Sequence, residues 1–182
     1  MRQLPDRAHV REVGPRDGFQ NEPTAITTAA KLRLIELLAS TGLRRIEVTS
    51  LVRPDVIPQL ADAEEVLTRV SIPPEVSLSV LVPNERGLER GLALCDRAGR
   101  RLFHQVNCFL SASESHNRAN VNRSVEESLT GIERVVARAA AEGFRCEGVI
   151  SVAFGCPYEG RVPVERVFSV AQRLVEAGCQ EV

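Results

Sequence analysis

Short apolar-rich runs alternate along the chain with longer segments whose apolar residues recur at helical spacing. The runs His9–Val13, Arg45–Leu51, Val76–Val82, Phe103–Leu110 and Gly148–Phe154 predict strands. The stretches Thr27–Ser40, Ala61–Val70, Glu85–Arg97, Ser124–Glu142 and Pro163–Ala177 predict helices. In the first of these helices Leu34, Leu37 and Leu38 fall on one stripe, with Lys31, Arg33 and Glu36 largely outside it. Gly42, Gly143 and Gly178 stand where helices should stop. Thr27 and Ser124 are N-cap candidates, Ser124 with Glu127 at capping-box spacing. Alternation of this kind implies a parallel sheet with right-handed crossovers. No linker or low-complexity segment interrupts it, so residues 1–182 read as one domain. Two architectures fit, an open doubly wound sheet and part of a (β/α)8 barrel. Strand order separates them, because a barrel segment runs in chain order without reversal.

Polar residues gather just after the predicted strands. Arg16, Asp17 and Gln20 follow the first, in Gly14-Pro-Arg-Asp-Gly-Phe-Gln-Asn-Glu22. Glu47, Thr49 and Ser50 lie within or at the end of the second, and Asn84 follows the third. Ser111, Ser113 and Glu114 follow the fourth, Cys156 and Tyr158 the fifth. In a parallel barrel all these points meet at one mouth, where active sites are built. Gly14 and Gly18 let the backbone of the first turn bend and approach a ligand, and Pro15 stiffens it. Asp17 can hold a divalent cation, and Arg16 beside it an anionic oxygen. The alternative is a solvated Arg16–Asp17 pair across a tight turn.

Composition narrows the classes. Basic and acidic residues nearly balance, 23 against 24, which gives no basic field for nucleic acid. No apolar run is long enough to span a bilayer, and Met1–Val13 lacks the apolar segment of a signal peptide. The five cysteines, Cys95, Cys108, Cys146, Cys156 and Cys179, are odd in number and widely spread, as free thiols of a reducing cytoplasm would be.

The motifs GPRDGFQNE, RIEVTSLVRPDVIPQLAD, VPN, FLSASESHNRANVNRSVEES and VAFGCPYEGRV, in that order from Val10 to Val182, resemble those of hydroxymethylglutaryl-CoA lyase. That family belongs to the divalent-metal-dependent TIM barrels that make or break carbon–carbon bonds beside acyl-CoA or 2-oxo acid groups. The resemblance implies the first five βα units of a barrel and the start of a sixth strand. It implies cleavage of 3-hydroxy-3-methylglutaryl-CoA to acetyl-CoA and acetoacetate, as in leucine degradation and ketone-body formation, with Mg2+ or Mn2+. Asp17 would be a metal ligand and Arg16 would stabilise the enolate oxygen. Glu47 would be a carboxylate holding Arg16 or metal-bound water. Gln20, Ser50, Asn84 and Ser113 would contact substrate. An acyl-CoA substrate and a homo-oligomer of the complete enzyme are expected, with neither nucleic acid nor membrane as partner.

Family members complete the metal site with a His-x-His pair and an Asn further on, and add a catalytic loop Cys. Here none of His9, His104 and His116 forms such a pair, and the sequence given stops before the corresponding strands. It reads as a partial barrel, inactive alone. Two alternatives stay open: a related metal-dependent aldolase or acyl-CoA synthase acting on another 3-hydroxy-3-alkyl acid thioester, and a non-catalytic half-barrel that needs a partner. Single residues keep plain readings too. His116 is either a solvated loop residue or one facing the mouth. Cys156 is either a small packed hydrophobe beside Pro157 or a reactive thiol. Glu12 can pair with a neighbouring Arg. Asn120 and Asn122 either shape their loop or bind the polar arm of a CoA-type substrate.

Overall fold

The computed structural model describes residues 8–182; most of Met1–Val13, expected to lack a signal peptide, lies outside them. Four parallel strands, Arg45–Ser50 (β1), Ser77–Leu81 (β2), Gln105–Ser111 (β3) and Arg145–Ser151 (β4), pair in chain order β1-β2-β3-β4. A parallel bridge from Glu12 to Ile46 flanks β1, and one from Glu147 to Glu181 flanks β4. The order therefore has no reversal, which selects the barrel over the doubly wound sheet. Among the described residues six α-helices flank the sheet: Thr28–Ser40 (α1), Ala63–Arg69 (α2), Glu85–Ala98 (α3), Glu114–Val121 (α4), Val125–Ala141 (α5) and Val164–Glu176 (α6).

Curvature is visible in one contact. Arg11, beside the Glu12 bridge, donates from Nη2 to Glu147 Oε1 of β4 at 2.7 Å. In a flat sheet those strands would stand about 19 Å apart, four spacings of about 4.8 Å. The sheet must curl for the side chains to meet. Its two faces differ because successive side chains alternate. Ile46, Val48, Leu78, Val80, Val106, Cys108, Leu110 and Cys146 pack outward against the helices as the apolar core. The inner face carries Arg45, Glu47, Ser79, Gln105, Asn107 and Glu147.

The caps follow the sequence. Thr27 Oγ1 accepts from the Ala30 amide, and Ser124 with Glu127 forms the full capping box. Gly42, Gly143 and Gly178 all take positive φ where helices end. Four expectations need correction. The strand expected at His9–Val13 is a single bridge at Glu12, and Val10 is 67% exposed. The last strand begins at Arg145, not Gly148, and stops at Ser151, where Val152 turns to φ 54. Gly148 is a strand interior position, and a Cβ there would lie 2.7 Å from Leu174 of α6; it admits the helix. In α1 the core face is Leu32, Ile35 and Ala39, Leu37 is exposed, and Lys31 is buried. Lys31 Nζ is held by Asp62 Oδ1 at 2.6 Å and the Gln59 carbonyl at 2.5 Å, which offsets the cost of burying its charge. Finally, the stretch after β3 folds into α4 rather than a loop. Ser113 caps it, and Asn122 ends it at φ 55, so Asn122 shapes the backbone there.

Candidate active site

The turn after the first bridge is a five-residue π-type helix, Gly14–Gly18, with Asp17 N–H donating to the Val13 carbonyl at 2.7 Å. Among the described residues Glu12 pairs with no Arg. Its Oε1 accepts from the Gly14 amide at 2.6 Å, and a Cβ on Gly14 would sit 2.8 Å from that oxygen. Gly14 is thus required by close approach. Gly18 has open space above it and no positive φ, so it clears room at the mouth rather than making the bend.

This turn sets Arg16 over β1. Its Nε donates to Glu47 Oε1, and its Nη1 donates to Asp17 Oδ1 at 2.8 Å. Glu47 is buried, whereas the Asp17 side chain is 55% exposed. Both expected Arg16 contacts are therefore present together: the pair with Asp17 and the carboxylate beneath. Among the described residues Arg16 Nη2 and Asp17 Oδ2 have no partner, and both are available at the mouth.

Beneath Glu47 runs a hydrogen-bond chain through Asn107, Gln105 and Glu147, which lie outside the sequence motifs. Asn107 Nδ2 donates to Glu47 Oε2. Gln105 Nε2 donates to Asn107 Oδ1 at 2.9 Å and to Glu147 Oε2 at 2.6 Å. Gln105 Oε1 accepts from Arg45 Nη2 at 3.0 Å, and Arg45 also reaches Glu181 at 2.5 Å. Carboxylates at Glu47 and Glu147 can only accept, so both amides have one consistent orientation. A buried carboxylate costs several kcal/mol in lost solvation; Glu47 offsets it with two donors, one of them charged. The sequence did carry a signal, the polar residues at alternate positions in Gln105-Val-Asn107 and Arg145-Cys-Glu147.

The other expected contacts are dispersed around the rim. Gln20 is partly buried, and its side chain makes no hydrogen bond among the described residues. Asn84 caps α3, accepting from the Gly87 amide at 3.0 Å, and among the described residues its Nδ2 has no partner. Ser50 and Ser113 are wholly buried. Ser50 Oγ accepts from the Val52 amide at 3.2 Å, and Ser113 Oγ accepts from the His116 amide at 3.2 Å. Cys156 is buried with Ala112 and Val162, its Sγ 3.0 Å from Ser113 Oγ, the packed small residue rather than an open thiol. Burial pushes the Cys146 and Cys179 thiols up, to about 11 and about 12, whereas at Cys156 burial is outweighed by hydrogen bonds with Ser113 and with the Glu159 and Tyr158 backbone, which lower the thiol.

The loop bearing Cys156 and Tyr158 is tied to the start of α4. The Ser115 amide donates to Glu159 Oε1 at 2.8 Å and holds that carboxyl down to about 2, from an ordinary 4.5. A depressed carboxyl stabilises the folded state above its unfolded pKa and loses that contribution as pH falls through the folded one. The stability difference between the native chain and Glu159→Gln should therefore be constant above about pH 4.5 and vanish toward about pH 2. Urea titrations of both proteins across that window check it.

Asp17 is a hard oxygen donor suited to Mg2+ or Mn2+. Among the described residues, no three His, Cys, Asp or Glu side chains cluster to hold a metal. The set fits one ligand of such an ion, not the whole site.

The chain is similar to known proteins along its length. A family model described as HMGL-like matches residues 7–182. The chain is 45% identical over 179 residues to a cytoplasmic 3-hydroxy-3-methylglutaryl-CoA lyase from Danio rerio, covering 98% of this chain and 51% of that protein. It is 42% identical over 182 residues to a mitochondrial hydroxymethylglutaryl-CoA lyase from Rattus norvegicus, covering 100% and 54%. Among solved structures, the hydroxymethylglutaryl-CoA lyase of Pseudomonas aeruginosa superposes with a TM-score of 0.90 at 39% identity, covering 98% and 57%. An HMG-CoA lyase from Acinetobacter baumannii in complex with coenzyme A and 3-methylmalate gives 0.84 at 34% identity, covering 94% and 53%. The chain spans about half the length of the relatives it matches.

Proposed function

The chain belongs to the HMGL-like family, and from that premise we propose that it carries the Arg16–Asp17–Glu47 part of a carbon–carbon lyase. The reaction is cleavage of 3-hydroxy-3-methylglutaryl-CoA to acetyl-CoA and acetoacetate. The observation that supports it is an arginine held between a buried and an exposed carboxylate at the mouth of a parallel barrel. Retro-Claisen cleavage removes the proton of the tertiary hydroxyl, breaks the adjoining carbon–carbon bond and leaves the electron pair on the thioester as an enolate, which then takes up a proton at carbon to become acetyl-CoA. The open Nη2 of Arg16 donates to the enolate oxygen as its charge develops. Glu47 keeps the guanidinium plane fixed, so little reorganisation is needed when that charge appears. A bound Mg2+ or Mn2+ would polarise the hydroxyl and a substrate carboxylate; Asp17 would supply one of its ligands. Gln20 and Asn84 supply open amide donors to the acyl portion, and Ser50 and Ser113 shape its walls. The complete enzyme is read as a homo-oligomer. Its compartment follows the cytoplasmic relative; among the described residues no helix is long and apolar enough to cross a membrane.

Asp17→Asn tests this in the full-length gene product. It keeps the shape and removes the charge, so Mg2+ affinity should fall by about tenfold or more and excess Mn2+ should restore part of the turnover. Unchanged metal affinity by calorimetry would remove Asp17 from the site. A substrate panel decides the chemistry: turnover of a longer 3-hydroxy-3-alkyl thioester, with none of the methyl compound, would assign the related aldolase or synthase activity instead.

A further inference from the structure

We propose that His116 is a substrate-contacting residue, a hydrogen-bond donor at the mouth that recognises an acyl oxygen through Nε2. Strand parity sets which face the partner of His116 occupies. Gln105 and Asn107 point to the inner face, as their bonds to Glu147 and Glu47 require. The β3–β4 register runs unbroken from Gln105 to Ser111, so Ser111, six residues beyond Gln105, shares that face at its mouth end. The side chain of His116 then returns from the first turn of α4 to place Nδ1 2.7 Å from Ser111 Oγ.

The direction of that bond follows from burial. Ser111 is fully buried, and its hydroxyl has no other partner among the described residues. A buried hydroxyl proton left unpaired is costly, so the neutral ring accepts it on Nδ1 and carries its own hydrogen on Nε2. Protonation of the ring leaves Nε2 a donor as well. The half-buried imidazole thus offers an N–H at the rim and accepts nothing there. Tyr158, with its ring centroid 6.0 Å away, flanks it from the loop after β4. An N–H donor fixed beside an aromatic ring suits a carboxylate or thioester oxygen. The proposal rests on the acyl-CoA reading only for the identity of that oxygen's owner.

Kinetics and binding test it separately. In the full-length gene product, His116→Phe should raise KM for the acyl-CoA by about tenfold or more with a smaller change in kcat. His116→Gln, which restores an N–H at similar reach, should stay within about threefold, and Ser111→Ala should fall between. A His116→Phe enzyme with KM within about twofold of the native value would overturn the proposal. The second readout needs no turnover. Tyr158 is the sole tyrosine and the chain has no tryptophan, so in the 182-residue chain its emission reports on this rim. Titration with the free diacid 3-hydroxy-3-methylglutarate should give a saturable change, weakened at least about tenfold by His116→Phe and retained by His116→Gln. Absence of any saturable change, or one untouched by His116→Phe, counts against His116. Loss of thioester turnover with that titration intact would sink the lyase reading and leave His116 standing.

Discussion

Arg16→Lys should lower kcat of the full-length gene product by about a hundredfold or more while KM changes little. The reason is the number of directions in which one side chain must donate. Arg16 uses Nε for Glu47 and Nη1 for Asp17, which leaves Nη2 for the developing oxyanion. A lysine ammonium is a point donor on a flexible stem and cannot hold that planar fork. Because the third contact strengthens only as negative charge appears, its loss falls on the chemical step. If Arg16 and Asp17 merely close a tight turn, the variant instead loses thermal stability and keeps near-native kcat in its folded fraction. Steady-state kinetics alongside a thermal melt separate the outcomes.

The second large effect lies beneath it. Glu47→Gln should destabilise the folded chain by about 3 kcal/mol and disable the site with it. Glutamine matches the shape but offers one acceptor where two donors converge, Arg16 Nε and Asn107 Nδ2. Asn107 cannot simply turn over, since its Oδ1 accepts from Gln105, whose own amide hydrogens are committed to Asn107 and Glu147. One buried donor is left facing another. Chemical denaturation measures the loss. A double-mutant cycle with Arg16→Met then shows how much belongs to the ion pair and how much to the amides. A destabilisation below about 0.5 kcal/mol would mean that the network relaxes around the change and that Glu47 is not its anchor.

Local features of this chain were readable because they are local. The GPRDG turn, the caps at Thr27 and Ser124 and the three terminal glycines each depend on residues a few positions apart. The alternation of strands and helices was readable as well, since the core strands are apolar on their outward side. Misreadings arose where a distant partner decides the outcome. Lys31 looked solvent-facing because Asp62, its counter-ion, comes from the next unit. Gly148 looked like a boundary because Leu174 occupies the space above it. Helix α4 has few apolar positions in Glu114–Val121 and is held by polar bonds, Asn117 reaching Ser111, Ser124 and Ser128; hydrophobic periodicity had nothing to register. The candidate turn and Glu47 were identified from motif and family likeness, whereas the Asn107–Gln105–Glu147 chain needed strand register, which no pattern along the sequence supplies.

That strand order also shapes how the molecule can assemble. Every β-pair joins units adjacent in the chain, so each new strand can dock on an edge that has already formed, as a growing polypeptide would present it. The cost of loop closure is then met in small increments. Two contacts stand apart, Arg11 with Glu147 and Arg45 with Glu181, each spanning 136 residues. They can close only once β4 is in place. A clasp formed that late adds little to the rate at which the sheet is built, and it governs how readily the finished curve springs open.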